Sequence, residues 1–184
     1  MHMGTGHFEA VLSRRARAHP PGKASTSMAK LGLPWVVSLE GLAAALALRA
    51  AGRPALPVAL AAPLACAGEK AIKTLAHRRR PGLKRFGRKG HQSFPSSHAG
   101  GPFALLAALA WTAPPTPGWR ALLALGSGAA VAVGLERVRA GAHWPSDVVV
   151  GIFFGTLFGT ALGALGRRRQ PRARRADGGR TASP

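Results

Sequence analysis

The stretch VVVGIFFGTLFGTALGALG, Val148 to Gly166, carries no charged side chain and decides the fold class. It matches the ~20 apolar residues that a helix needs to cross a ~30 Å hydrocarbon core. Gly151, Gly155, Gly159 and Gly163 recur at every fourth position within it. That spacing lines them along one helix face and lets a neighbouring helix approach closely, the small-xxx-small packing device of membrane bundles. Upstream, Leu33 to Leu48, Pro54 to Ala67, Ala99 to Trp111 and Trp119 to Leu135 are nearly free of charge and bounded by Pro, Gly or basic residues. The segments 54–67 and 99–111 are short for a span, so they must extend into their flanks or sit tilted. The expected fold is all-α: an integral membrane helical bundle of about five transmembrane helices plus a short N-terminal amphipathic helix.

Composition supports this reading. An apolar fraction of 47% coexists with a net charge of +20 over 184 residues. A soluble chain so basic ordinarily thins its apolar content to keep a solvated surface, so the charge here must be segregated. It collects at Arg14, Arg15 and Arg17, between Lys70 and Lys89, and from Arg167 to Arg180. A soluble bundle of this size could not cover five apolar helices with so little polar surface. A nucleic-acid-binding reading, suggested by the charge, leaves those segments unexplained, so no nucleic-acid partner is expected.

The organisation expected is a basic lead over residues 1–32, a membrane domain over 33–166 and a basic tail over 167–184. Pro20 and Pro21 break the lead, and the tail is rich in Arg, Gly and Pro with no apolar face to bury, so both ends are expected to be poorly ordered. Phe8, Val11 and Leu12 beside Arg14, Arg15 and Arg17 suggest the amphipathic helix, lying on the membrane surface. The first thirty residues lack a continuous apolar core, so no cleavable signal peptide is expected and the first span serves as insertion signal. Cys66, the single cysteine, reads as a small packing residue. Glu40, the lone acid in the first apolar segment, is expected to face the bundle, pair or stay protonated.

Three polar patches sit at the ends of these segments. Lys73 and Arg80 follow the second segment, with Pro81 expected to stop the helix; the neighbouring Arg78, Arg79, Lys84, Arg85, Arg88 and Lys89 read as membrane-surface charge. Pro95-Ser96-Ser97-His98 opens the third segment. Serine is a favoured helix cap, so the N–H groups of Ser97, His98 and the next residue should leave an anion site where His98 can give a proton to a departing oxygen. The third patch holds Arg137, His143 and Asp147. Asp147 lies four residues after His143, a spacing that brings a carboxylate to the imidazole, fixes its tautomer and leaves the other ring nitrogen free as a nucleophile. Two histidines and one aspartate among so many cations would repel a divalent ion, so no metal is expected.

In their order and spacing the patches resemble the type 2 phosphatidic acid phosphatase superfamily, which includes lipid phosphate phosphatases and vanadium haloperoxidases. The family pattern is Lys, six residues, Arg-Pro; Pro-Ser-Gly-His; and Ser-Arg, five residues, His, three residues, Asp. Lys73, Arg80 and Pro81 match the first, Pro95, Ser96 and His98 the second, and Arg137, His143 and Asp147 the third. The resemblance implies hydrolysis in two steps with no metal or other cofactor. His143 would attack phosphorus, Asp147 would orient it and His98 would protonate the leaving oxygen. Lys73, Arg80, Ser96, the Ser97 N–H and Arg137 would hold the phosphate. The implied substrate is a lipid or polyprenyl phosphate or diphosphate, met in a bilayer whose anionic lipids the basic loop concentrates. Ser97 stands where the family has Gly and Glu136 where it has Ser. If these spoil the site, the alternative is a degenerate relative that binds phospholipid without turnover. Haloperoxidase relatives are soluble, which the composition argues against.

With five spans, the N-terminus and all three patches share one face. That face holds the larger share of Lys and Arg, which by the positive-inside rule argues for the cytoplasm. Some of those cations serve chemistry, and the arginine-rich tail pulls the other way. The expectation is a multi-pass cell-membrane protein with its site at the extracytoplasmic face.

Overall fold

The computed structural model describes residues 3–18, 27, 29–82 and 92–168. Its helices are α1 (Met3–Ala18), α2 (Pro34–Ala50), α3 (Leu56–Ala76), α4 (Ser97–Thr112), α5 (Pro117–Arg139) and α6 (Pro145–Arg168), with a 3-10 turn at Lys30–Gly32 ahead of α2. Helices α2 to α6 are the five apolar segments, each extended into its flanks. Pro34, Pro117 and Pro145 open α2, α5 and α6, where a missing N–H costs nothing and the fixed φ is already helical. Lys84, Arg85, Arg88 and Lys89, the Pro20-Pro21 break and the tail from 169 to 184 lie outside the described residues.

Helix α3 does not reach Pro81. It stops at Ala76, where His77 takes a left-handed φ of 46°. Beyond it the chain is extended: Arg79 bridges antiparallel to Gln92, and the Ser93 N–H donates to the Arg78 carbonyl at 2.8 Å. Alternate residues of an extended segment face opposite ways. Arg78 and Arg80 accordingly turn inward, while the Arg79 side chain is exposed.

Helix α4 is the axis of the bundle and packs against α2, α3, α5 and α6. The glycine stripe of α6 lies on its backbone. A Cβ at Gly151 would stand 2.5 Å from the Ser96 carbonyl, and one at Gly155 or Gly159 would collide with the carbonyls of Gly100 or Ala104. Elsewhere the interior is built of small side chains, among them Ala61, Ala62, Ala65, Ala104 and Ala108. The large apolar residues point outward instead: Trp35, Leu39 and Leu46 on α2, Leu125 on α5, and Val149, Phe153 and Leu157 on α6 are more than half exposed. In water such a surface would aggregate; against lipid it is the expected arrangement, because contact between small residues, rather than exclusion of water, brings membrane helices together. Helices α5 and α6 are each long and apolar enough to cross a membrane alone.

Of the three readings of Glu40, the one that faces it into the bundle falls away, since it is exposed on the outer face of α2. One expectation needs correction. The first part of the lead is ordered: α1 packs against α5 and α6. Its Phe8 and Leu12 are exposed while Ser13 is fully buried, so the polar stripe of α1 faces the bundle.

The glycine stripe makes a clear expectation. Gly155→Ala should lower stability by roughly 1–3 kcal/mol through overpacking. Gly128→Ala, with nothing within 4 Å of the added Cβ, should be neutral or stabilising. Thermal unfolding in detergent reads both.

Candidate active site

Three connecting segments meet at the N-terminal end of α4. The segment after α3 joins the loop between α5 and α6 through Gly82 N–H to Gly141 carbonyl, 2.9 Å, and Arg80 Nη1 to Ala142 carbonyl, 2.7 Å. Gly141 has a φ of 72°, and a Cβ on Gly82 would lie 2.9 Å from the Gly141 carbonyl; side chains at this pair would hold the segments apart. The start of α4 is tied to that of α6 by Ser96 N–H to Asp147 carbonyl, 3.0 Å. By these links the structure brings the three sequence patches together.

At the centre is His143, 1% exposed. Its Nδ1 lies 2.6 Å from the Ser93 carbonyl. A carbonyl only accepts, so Nδ1 carries the hydrogen and Nε2 keeps its lone pair. Asp147 Oδ2 is 3.7 Å from the same Nδ1, beyond hydrogen-bond distance but within reach of a charge on the ring. The expected orienting bond from Asp147 is therefore supplied here by a backbone carbonyl. Being a main-chain group, Ser93 leaves no signal in the sequence. Burial pushes the His143 imidazole below its ordinary value; Asp147 opposes the shift, and the charges of Arg80 and Lys73 add to it.

Asp147 is fixed by other partners. Its Oδ2 accepts the Trp144 N–H at 2.8 Å, and its Oδ1 accepts from Arg78 Nη1 at 2.7 Å. Trp144 is itself held by an Nε1–H bond to the Arg79 carbonyl, 2.8 Å. Arg78 thus belongs to the site and not to the membrane-surface charge. The sequence reading missed it by placing it on a helix that ends two residues earlier.

The cations converge on the imidazoles. Lys73 Nζ donates to Ser97 Oγ at 3.0 Å. Arg137 stands within electrostatic reach of Arg80 and His98. Burial, then the Arg137 charge, pushes the Arg80 guanidinium below its usual range, although arginine stays cationic. Two buried polar atoms, Ser96 Oγ and Arg137 Nε, have no hydrogen-bond partner among the described residues. Buried donors beside clustered cations form a setting that suits an anion. His98 is half-buried, its ring centroid 6.3 Å from that of His143. The Ala99 N–H, expected to be free for the anion, donates to the Ser96 carbonyl at 3.0 Å.

Sequence reasoning also passed over Glu69. It is 2% exposed, one turn before Lys73, and neither carboxylate oxygen has a hydrogen-bond partner among the described residues. It presses on Gly100, where a Cβ would collide with it. Its signal was the charge four residues before Lys73 on one helix face.

A family model for the PAP2 superfamily matches residues 53–171. The chain belongs to this superfamily. The fold is similar to a crystal structure described as the first transmembrane PAP2 type phosphatidylglycerolphosphate phosphatase, from Bacillus subtilis. The TM-score is 0.77 at 19% identity, over 93% of this chain and 90% of that one. No curated protein matches the chain. Two departures from the superfamily pattern now have places. Ser97 is 7% exposed, and its hydroxyl takes the Lys73 hydrogen bond. Glu136 is 3% exposed, with Oε2 3.9 Å from Arg139 Nη1.

Because burial favours the neutral ring, the His143 imidazole should titrate below ~6.5, the value of a free histidine. It should therefore stay neutral at pH 7, and its contribution to stability should fall as pH drops below the unfolded value, where only the unfolded chain binds the proton. Nitrogen-detected NMR of labelled histidine checks the midpoint.

Proposed function

We propose that the protein is a membrane phosphatase that removes the terminal phosphate of a lipid or polyprenyl phosphate or diphosphate, without metal, through a phosphohistidine. Superfamily membership supports a phosphatase. The observation that supports the mechanism is a buried, Nδ1-protonated His143 in the field of Lys73 and Arg80, with Arg137 Nε and Ser96 Oγ as buried donors that have no partner among the described residues. Lys73, Arg80, Arg137, Ser96 and the Ser97 N–H hold the phosphate oxygens. Fixed positive charge around three oxygens is most of what phosphoryl transfer asks of a protein.

In the first step the Nε2 lone pair of His143 attacks phosphorus. The bond from phosphorus to the leaving oxygen breaks, and His98, which enters the step as the imidazolium beside the substrate's negative charge, gives that oxygen its proton. Asp147 offsets the positive charge that develops on the phosphorylated ring. In the second step a water attacks phosphorus and gives a proton to His98, the P–N bond breaks, and inorganic phosphate leaves. Splitting the hydrolysis lowers each barrier.

The outward apolar face supports a substrate whose tail stays in the bilayer while its phosphate reaches the polar end of α4. Residues 33–166 form the catalytic membrane domain, flanked by the basic segments 1–32 and 167–184. The basic loop draws in anionic lipid. The protein is multi-pass, with the site at the extracytoplasmic face. Leu75→Cys, in a Cys66→Ala background, should then react in intact cells with a membrane-impermeant thiol reagent; labelling only after lysis would place the site inside.

The deciding experiment is phosphate release from a panel of lipid phosphates in detergent. Turnover should persist with a chelator and fall by a factor on the order of 10³ or more in His143→Ala. Brief reaction with 32P-labelled substrate should leave label on the protein that survives alkali and is lost in acid, as a P–N bond requires. Binding of phospholipid without turnover would favour a degenerate relative.

A further inference from the structure

Arg78 makes its contacts with Asp147, Ser146, Glu9 and Trp144, apart from the cluster of Lys73, Arg80 and Arg137. Its Nη1 donates to Asp147 Oδ1 at 2.7 Å and to Ser146 Oγ at 2.6 Å. Its Nη2 donates to Glu9 Oε2 on α1 at 2.6 Å, and its guanidinium lies over the Trp144 ring, 5.5 Å from the centroid. Glu9 does more than hold Arg78. Its Oε1 accepts the Ser146 N–H at 3.0 Å, and the Ser146 hydroxyl donates to the same oxygen. A carboxylate from α1 therefore satisfies a free N–H in the first turn of α6, where the helix dipole favours negative charge.

We propose that Arg78, held by Glu9 of α1, is the positioning residue that sets Asp147 against His143, so that α1 is a working part of the active site. The proposal rests on the phosphatase reading above. Asp147 is fully buried and faces His143 from the α5–α6 loop, Arg78 from the segment after α3, and the charges of Lys73 and Arg80. The bond from Arg78 fixes one carboxylate oxygen and the bond from the Trp144 N–H fixes the other. Without Arg78 the carboxylate keeps the Trp144 N–H and the Ser93 side chain but loses its one charged donor, and the charges of Lys73 and Arg80 can draw it out of line with His143. Glu9 supplies the other jaw of the clamp, and α1 brings it there by burying its polar stripe on α5 and α6.

A phosphate ligand and a positioning residue fail differently. Loss of a ligand weakens ground-state binding, whereas loss of alignment lowers turnover. Kinetics of the full chain in detergent should be measured for Arg78→Ala, Arg78→Lys, Glu9→Gln and the Arg78→Ala/Glu9→Gln pair. His143→Ala is the inactive reference and Arg79→Ala the control for loss of one exposed cation. In Arg78→Ala, kcat should fall roughly 10–100-fold with KM changed less than about threefold, the cost of a misplaced catalytic group. Arg78→Lys should recover part of the loss. Glu9→Gln should lower kcat roughly three- to tenfold alone and add almost nothing to Arg78→Ala, because it acts through Arg78.

A higher KM at unchanged kcat would make Arg78 a phosphate ligand. Additive losses would separate α1 from Arg78. Folded variants with unchanged kcat but a lower Tm would leave Arg78 as a fastening for α1 alone. Each of these overturns the proposal, whereas activity surviving in His143→Ala would overturn the phosphatase reading instead. If Arg78→Ala does not fold, Arg78→Lys and Glu9→Gln carry the same kcat readout.

Discussion

The backbone contact between α4 and α6 is the constraint on which the site depends. Gly151 lets the Ser96 carbonyl come against α6, and one turn away the Ser96 N–H reaches the Asp147 carbonyl at 3.0 Å. That approach puts the helix start carrying Ser96 and His98 beside the loop carrying His143. Side chains along the stripe would push the helices apart, and the two histidines would separate with them. In a membrane, where burial of apolar surface does little to join helices, such close contact supplies both cohesion and register. The spacing of the two histidines is thus set by glycines that touch neither ring.

A second requirement is to gather cations in a buried place without leaving them uncompensated. Lys73, Arg80 and Arg137 repel one another, and taking charges out of water is costly. The protein distributes buried carboxylates behind them. Glu69 lies one turn from Lys73 on α3, Glu136 precedes Arg137, and Asp147 is bound by Arg78. None of these acids has a hydrogen bond to Lys73 or Arg137 among the described residues; Lys73 donates to Ser97 Oγ, and Arg137 Nε has no partner there. Arg78 bonds two carboxylates, Asp147 with one donor and Glu9 of α1 with the other.

Much of this was legible in the sequence because its signals are local. A charge-free run such as Val148 to Gly166 specifies a span by length, and four glycines at one spacing specify a packing face. The motif residues were legible as chemistry, since phosphate transfer needs a nucleophile, an acid and cations in any fold. Three features were not legible, for three different reasons. Ser93 acts through a carbonyl that every residue possesses. Arg78 was hidden by an assumed helix up to Pro81, and the left-handed His77 that ends α3 at Ala76 carries no strong sequence mark. Glu9 acts 137 positions away from Ser146, beyond the reach of any local pattern.

The sequence alone determined the class of the protein, the course of its five apolar helices and the residues proposed to handle phosphate, because hydropathy, helix period and side-chain chemistry are properties of short segments. Only the tertiary structure decided which ring nitrogen of His143 bears the hydrogen, what holds Asp147 and whether α1 belongs to the site. Those depend on which backbone carbonyls and distant side chains meet once the glycine stripe has drawn α4 and α6 together, and contacts between distant segments are set by packing geometry rather than by local pattern.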